Sequence, residues 1–472
     1  MAAQELLNET LAEVAAKLRD RKVTARQLAE AAIAAHEETG VALEAYKIWD
    51  PDRARALADA ADALFDAGTV LGPLQGIPCS VKDLYAMSEY PIHAGTPNPL
   101  PPKWRADGPV VQALRRQLAV IPGKTHTVEF AFGGIGTNVH WGAPRNPWDA
   151  ANHRVSGGSS SGAGVSLCEG SALVALGTDT AGSVRIPASV TGNVGVKTTF
   201  GRWSLDGIVP LSPSLDTAGV LARTVADAAL AFAVFDPLTG EAPERFVERL
   251  GGLSAGNLRL GLCDEHFWDD CSPGVAEGVK AAIDELVGKG AELKRLAMPE
   301  PLDVHEIFLK GGLPAVELFT FLKLELPDWL ETLDANVRQR MDEAETLPAS
   351  EYLSRRAMLD RLSAAVDERL RAVDVLVTPT VAVTPPTLDE LADGDAYRRA
   401  NMLSLRNTST VNYLGLCAVT VPVALDAVGM PVGLHLIARN GEDEKLLAVA
   451  LAVEQALGTG RQRIGRPPLA AG

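Results

Sequence analysis

Apolar residues fall at helical spacing in some stretches of the chain and in short unbroken runs in others. Between Asp50 and Gly68, the residues Leu57, Ala61, Leu64 and Phe65 recur on one helical face. Asp50 suits an N-cap, Pro51 the first helical position and Gly68 the stop. The N-terminal stretch MAAQELLNETLAEVAAKL also reads as an amphipathic helix. Another helix is predicted from about Pro109 to Leu118, with Val110, Val111, Leu114 and Leu118 inward. It leads into Ala119, Val120 and Ile121, an apolar run read as a buried strand. Further strands are predicted at 172–176, 373–378, 417–423 and 432–437, with a last helix from about Glu442 to Leu457. Residues 300–370 are rich in charge and helix formers and read as helices covering part of the core. Strands alternating with helices predict an α/β sandwich.

From Gly133 to Gly219 the composition shifts to Gly, Ser, Thr and other small residues. Apolar strand-like runs interrupt it, so it reads as packed backbone with tight turns rather than a linker. No repeat, low-complexity tract or long linker divides the 472 residues, which are expected to form one domain. At 47% hydrophobic and 22% charged residues the composition is globular. A formal net charge of −16 disfavours direct binding to nucleic acid, and the tail arginines Arg461, Arg463 and Arg466 read as a solvated terminus. The five cysteines are widely spaced with no CxxC pair, as expected of free thiols in a reducing compartment. Glu5 and Glu9 stand where a signal peptide would be basic, and no apolar run approaches the ~18 residues that cross a bilayer. A cytoplasmic protein without a membrane partner is expected.

Several motifs can be set aside. The eight histidines form no HExxH and no close His/Cys pair, so no metal site is expected. Gly123-Lys124-Thr125 resembles the end of a phosphate-binding loop, but the Gly that this motif needs five positions earlier is Leu118. Gly158–Gly162 matches GxSxG with Ser160 as nucleophile and His435 as a partner, yet loop rather than strand precedes it. Three segments remain: Gly76–Asp83 (GIPCSVKD), Ser156–Gly164 (SGGSSSGAG) and Gly177–Pro187 (GTDTAGSVRIP). Lys82 sits among Ile77, Pro78 and Val81, a setting that turns its amine inward, where desolvation favours the neutral form. An unperturbed lysine, with a pKa of ~10.4, is almost wholly protonated at pH 7, whereas one lowered to about 7–8 is a competent base. Ser159 and Ser183 supply hydroxyls that such a base can activate, one relaying to the other. The small residues of Thr180-Ala181-Gly182-Ser183 allow consecutive amides to point at one oxygen, an arrangement worth about 2.7–4 kcal/mol per donor in a transition state. Asp179 and Arg185 straddle that turn and are expected to form a buried pair that stiffens it.

In these segments the sequence resembles the amidase signature family. Lys82, the Gly-Gly-Ser-Ser loop and the Gly-Ser-Val-Arg-Ile-Pro turn occur in the family's order, and 123–131, 421–422 and 430–439 extend the likeness over most of the chain. The resemblance implies a single-domain α/β/α sandwich with a large, twisted mixed sheet covered by helices on both faces. Within it, about 1–70 would be an N-terminal helical segment, about 75–225 the core, and about 300–370 a cover near the substrate entrance. It also implies a Ser-cisSer-Lys triad, with Ser183 as nucleophile, Ser159 as bridge after a cis Gly158–Ser159 peptide, and Lys82 as base. Amides of Thr180, Ala181, Gly182 and Ser183 would form the oxyanion hole, with Ser160, Thr178, Asp179 and Arg185 supporting. Gly133, Gly134 and Ile135 would contact substrate. Ala181 departs from the family's usual Gly, so its backbone is expected to avoid positive φ. The implied activity is hydrolysis of a small-molecule amide, carbamate or ester by a monomer or homodimer, with no metal or organic cofactor. Alternatives are the glutaminase component of a tRNA-dependent amidotransferase, a urethane hydrolase, and an idle binding scaffold.

Overall fold

A computed structural model describes residues 3–470. Its strands are β1 (Tyr46–Trp49), β2 (Cys79–Lys82), β3 (Gly123–Thr125), β4 (Val174–Asp179), β5 (Val194–Lys197), β6 (Thr217–Ala222), β7 (Arg259–Leu262), β8 (Glu292–Arg295), β9 (Val375–Pro379), β10 (Cys417–Leu425) and β11 (Pro431–Ala438). They form one sheet in the order β1-β3-β2-β4-β6-β5-β10-β11-β9-β7-β8. It is mixed: β2 runs parallel to β3 and β4, and β7 parallel to β8 and β9, while the remaining pairs are antiparallel.

Successive residues of a strand face opposite sides, and here both sides are apolar. Val174, Leu176, Ala218 and Val220 join the larger core, while Ala175 and Leu221 pack with Ala163, Leu167, Val184 and Ala188 on the other face. Small residues on that second face bring two short helices, Ser161–Glu169 and Arg185–Val190, close to the sheet. A Cβ on Gly162 would stand 1.9 Å from the Ala45 carbonyl oxygen, which accounts for part of the Gly-rich composition there. Among the described residues no helix is long and apolar enough to cross a membrane, and all five cysteines are free.

The helix Pro51–Asp66 is capped by Asp50, whose side chain accepts from the Arg53 amide. Its buried face is Ala54, Ala58, Ala61 and Phe65, whereas Leu57 and Leu64 are only half-buried. The expected stripe is therefore rotated, because this helix packs on the Ala-rich helix Ala25–Ala35, where small side chains allow the closest approach. The N-terminal stretch forms two helices, Ala3–Leu6 and Leu11–Arg19, because Thr10 caps the second through a capping box with Glu13. The strand expected at 119–121 is also displaced. Val120 makes a single bridge to Pro78, Pro122 has no N–H to offer, and the regular strand is β3, just beyond it.

Candidate active site

Lys82 ends β2 and is fully buried. Its Nζ donates to Ser159 Oγ at 2.7 Å and to Thr178 Oγ1, on neighbouring β4, at 2.9 Å. Burial pulls its pKa down to about 7, against the smaller upward pull of the Asp179 and Asp216 carboxylates. Ser159 lies on the loop before the helix Ser161–Glu169, after a cis Gly158–Ser159 peptide. Its carbonyl accepts from the Val128 amide, and the Gly158 amide donates to the Gly134 carbonyl. A Cβ on Gly158 would lie 2.7 Å from the Gly136 nitrogen, so only Gly lets these two segments approach.

Ser183 follows β4 in the turn that enters the helix Arg185–Val190. Gly182 has φ of +132°, and a Cβ there would lie 2.1 Å from Thr408 Oγ1. Ala181 has no positive φ, so Ala in place of Gly brings no backbone strain. Asp179 and Arg185 form a fully buried pair at 2.9 Å. Burial alone would raise the Asp179 pKa, but the Arg185 charge outweighs it and holds the carboxyl well below the usual range. Asp179 also accepts from Asn412 Nδ2 at 2.8 Å and from the Val184 amide at 3.1 Å, while Arg185 donates to the Thr408 carbonyl. Replacing Asp179 by Ala is expected to cost about 3–5 kcal/mol, because it strands the buried guanidinium. Urea unfolding checks this as a lower midpoint at an unchanged slope.

The expected set of four converging amides needs correction. The Gly182 N–H donates to Asp179 Oδ1 at 2.8 Å, because the carboxylate that neutralises Arg185 also draws in this amide. Among the described residues no acceptor takes the amides of Thr180, Ala181 or Ser183, and all three residues line the cavity described below. Ser160 Oγ donates to the Thr178 carbonyl at 3.4 Å, and its amide to the Ser183 carbonyl at 3.3 Å. His435 is buried 3.0 Å from Arg185 Nη1, and burial and that cation hold its pKa well below the usual imidazole value. Ser160 and His435 thus serve separate networks, not the dyad that GxSxG would require.

A cavity of about 540 Å³ opens in front of the turn. Ser183, Thr180 and Ala181 form part of its floor, Ala131, Phe132 and Gly133 one wall, and Leu211, Arg355 and residues from 308–347 and 397–413 the rest. Of the three substrate contacts expected from sequence, only Gly133 lines it. Gly134 is turned away as its N–H donates to Asn401 Oδ1 at 2.8 Å, and Ile135 is buried against Val155 and Tyr397. The sequence expects 130–138, 300–345 and 397–413 to line the entrance, and Arg340, Tyr397, Asn401 and Tyr413 from those stretches do line the cavity, although no local motif singles them out. Sequence reasoning missed Glu129, whose carboxyl is pushed up to about 7 by burial and accepts from the Asp334 amide. Among the described residues, His, Cys, Asp and Glu side chains form no group of three or more able to hold a metal ion.

A two-faced mixed sheet with a buried lysine, serine hydroxyls and a cavity in front of them is the arrangement of an α/β hydrolytic enzyme. The sequence profile of the Amidase family matches residues 27–447, and the chain belongs to that family. It is 50% identical over 460 residues to the 2-amino-5-chloromuconic acid deaminase of Comamonas testosteroni, covering 98% of each chain. It is 33% identical over 488 residues to a component of the glutamyl-tRNA(Gln) amidotransferase of Anaeromyxobacter dehalogenans (strain 2CP-C), covering 97% of this chain and 98% of that one. Among solved structures, a crystal structure of an amidase superposes with a TM-score of 0.84 at 31% identity, covering 95% of this chain and all of the other. The protein is an amidase, a hydrolase of amide-type C–N bonds.

Proposed function

We propose that this amidase acts on a small organic molecule, with Ser183 as nucleophile, Ser159 as proton relay and Lys82 as base. The observation that carries the reading is the Lys82 amine, buried without a carboxylate bonded to it and donating to Ser159 Oγ at 2.7 Å. At neutral pH about half of such an amine is unprotonated, because its pKa lies near 7. Neutral Lys82 takes a proton from Ser159 as Ser159 takes one from Ser183. The Ser183 Oγ–carbon bond then forms, and the carbonyl electrons move to an oxygen held by the free amides of Thr180, Ala181 and Ser183. When the C–N bond breaks, the proton returns along the relay to the leaving nitrogen. Water then adds to the acyl carbon and releases the acid, so amide plus water gives acid plus amine with no redox partner.

The 50% identity to a deaminase of an unsaturated amino acid supports a small, conjugated, nitrogen-bearing substrate for this chain as well. A second reading, the glutaminase component of a tRNA-dependent amidotransferase, draws support from the relative at 33% identity. The purified chain alone, given 2-amino-5-chloromuconic acid, primary amides, nitroanilides, aryl carbamates, esters and glutamine, separates them. We expect turnover of one or more small amides or of the amino acid at rates at least about 100-fold above glutamine, a discrimination of about 2.7 kcal/mol. Ammonia from glutamine alone, and only when partner proteins are added, would decide for the second reading. Carbamate and ester cleavage are expected as slower activities of the same serine.

A further inference from the structure

We propose that Arg340 is the substrate's carboxylate anchor, so that the enzyme selects small amides that carry a second, anionic group. The inference rests on the hydrolytic reading of the cavity given above.

Arg340 lies on the cavity wall, on the covering segment that follows the short helix Ala335–Gln339. Its guanidinium carbon stands 3.7 Å from the centroid of the Phe132 ring, and Nη1 donates to the Phe132 carbonyl at 2.6 Å. That bond uses one of the five N–H groups of the fork. Nε and Nη2 meet no acceptor among the described residues and remain accessible from the cavity. No described carboxylate lies within ion-pair reach; the ionisable neighbours are the phenols of Tyr397 and Tyr413. Burial pulls the Arg340 pKa down, a cost that protein groups do not offset. In a chain with 60 acidic and 44 basic residues, a cation without a carboxylate is not short of candidates.

The other arginines on this cavity are committed. Arg355 donates to the Lys310 and Gly312 carbonyls and pairs with Glu351, and Arg398 pairs with Asp395. Asp342 and Glu343 also line the cavity, but they are exposed and water screens them. The segment before Arg340 is fastened to the loop that carries Phe132, because the Asp334 amide donates to Glu129 Oε2 at 2.8 Å. Arg340 is thus a pre-oriented planar fork facing the same cavity as Ser183. Such a fork matches the two oxygens of a carboxylate.

The test uses monoamides of four- to six-carbon dicarboxylic acids (succinamic, glutaramic and adipamic acids) against the matching neutral diamides. Calorimetry on the Ser183→Ala protein reads binding without turnover. At least one monoamide is expected to bind about 30-fold or more tighter than its diamide, a preference that falls to about threefold in the Ser183→Ala/Arg340→Gln protein. Arg340→Lys should keep part of the preference, as a point charge without the fork. The same ratio, read as kcat/KM in the Ser183-containing enzymes, should collapse in Arg340→Gln. A preference unchanged by Arg340→Gln, an equal loss for acid and diamide, or no preference for any acid would overturn the proposal. Turnover that survives Ser183→Ala would instead overturn the hydrolytic reading, while the binding preference would still report on Arg340.

Discussion

Ser183→Ala is expected to lower amine or ammonia release by about 10⁴-fold or more, because nothing else in the cavity replaces a covalent nucleophile. The loss should come without loss of fold. Among the described residues the Ser183 hydroxyl makes no hydrogen bond, so its removal strands no buried partner. Thermal unfolding within about 1 kcal/mol of the unsubstituted protein would separate a chemical loss from a structural one. A fluorophosphonate should add once to the intact chain, seen as a single mass increment, and not at all to the Ser183→Ala protein. Labelling of the variant, or more than one per cent of its activity remaining, would remove Ser183 from the mechanism.

Lys82→Ala should cost about 10³–10⁴-fold in kcat/KM, the range that positioned general bases contribute. Its pH dependence gives a sharper test. With Lys82 as the proposed base, the neutral amine would be the active form, and burial brings its pKa to about 7, so kcat/KM should fall tenfold per unit below pH 7 and level off above about pH 8. A flat profile from pH 5 to 9 would exclude a lysine base. The same shift has a thermodynamic sign. Between about pH 7 and 10.5 the unfolded chain holds a proton on this lysine that the folded chain has released, so this group adds stability as pH rises through that window. Below pH 7 both states hold it and the full burial penalty applies. Burying Lys82 thus costs the fold stability at and below neutral pH, as expected of the base proposed above.

Much of this site lies in short stretches of chain. Lys82 at a strand end, Ser159 in a Gly-rich loop and Ser183 in a small-residue turn are local features, because tight turns and close approach demand Gly, Ser and Ala in series. The Asp179–Arg185 pair is equally local, since a six-residue spacing across one turn brings the two charges together. Elsewhere the pattern misled. The apolar run 119–121 satisfies a strand by hydropathy, but Pro122 and the pairing with β1 move the regular ladder to Gly123–Thr125. Four consecutive small residues suggest four converging amides, yet which N–H is free depends on where the Asp179 carboxylate comes to rest. Gly134 and Ile135 are neighbours of a cavity residue, but a single hydrogen bond from the Gly134 amide to Asn401, 267 positions later, turns the chain away.

The order of residues along the chain thus determined the chemistry on offer: an inward lysine, two serines in segments of small residues, an ion pair across a turn, and alternating strands and helices that close into a sandwich. Those features depend on near neighbours, where backbone sterics and side-chain spacing act over a few residues. The tertiary structure decided the rest: how deeply the amine is desolvated, which amides stay free, and which distant side chains, Arg340 among them, face the serine. Such properties depend on what packs against a group from elsewhere in the fold, and desolvation and long-range contacts are not encoded in any one stretch of sequence.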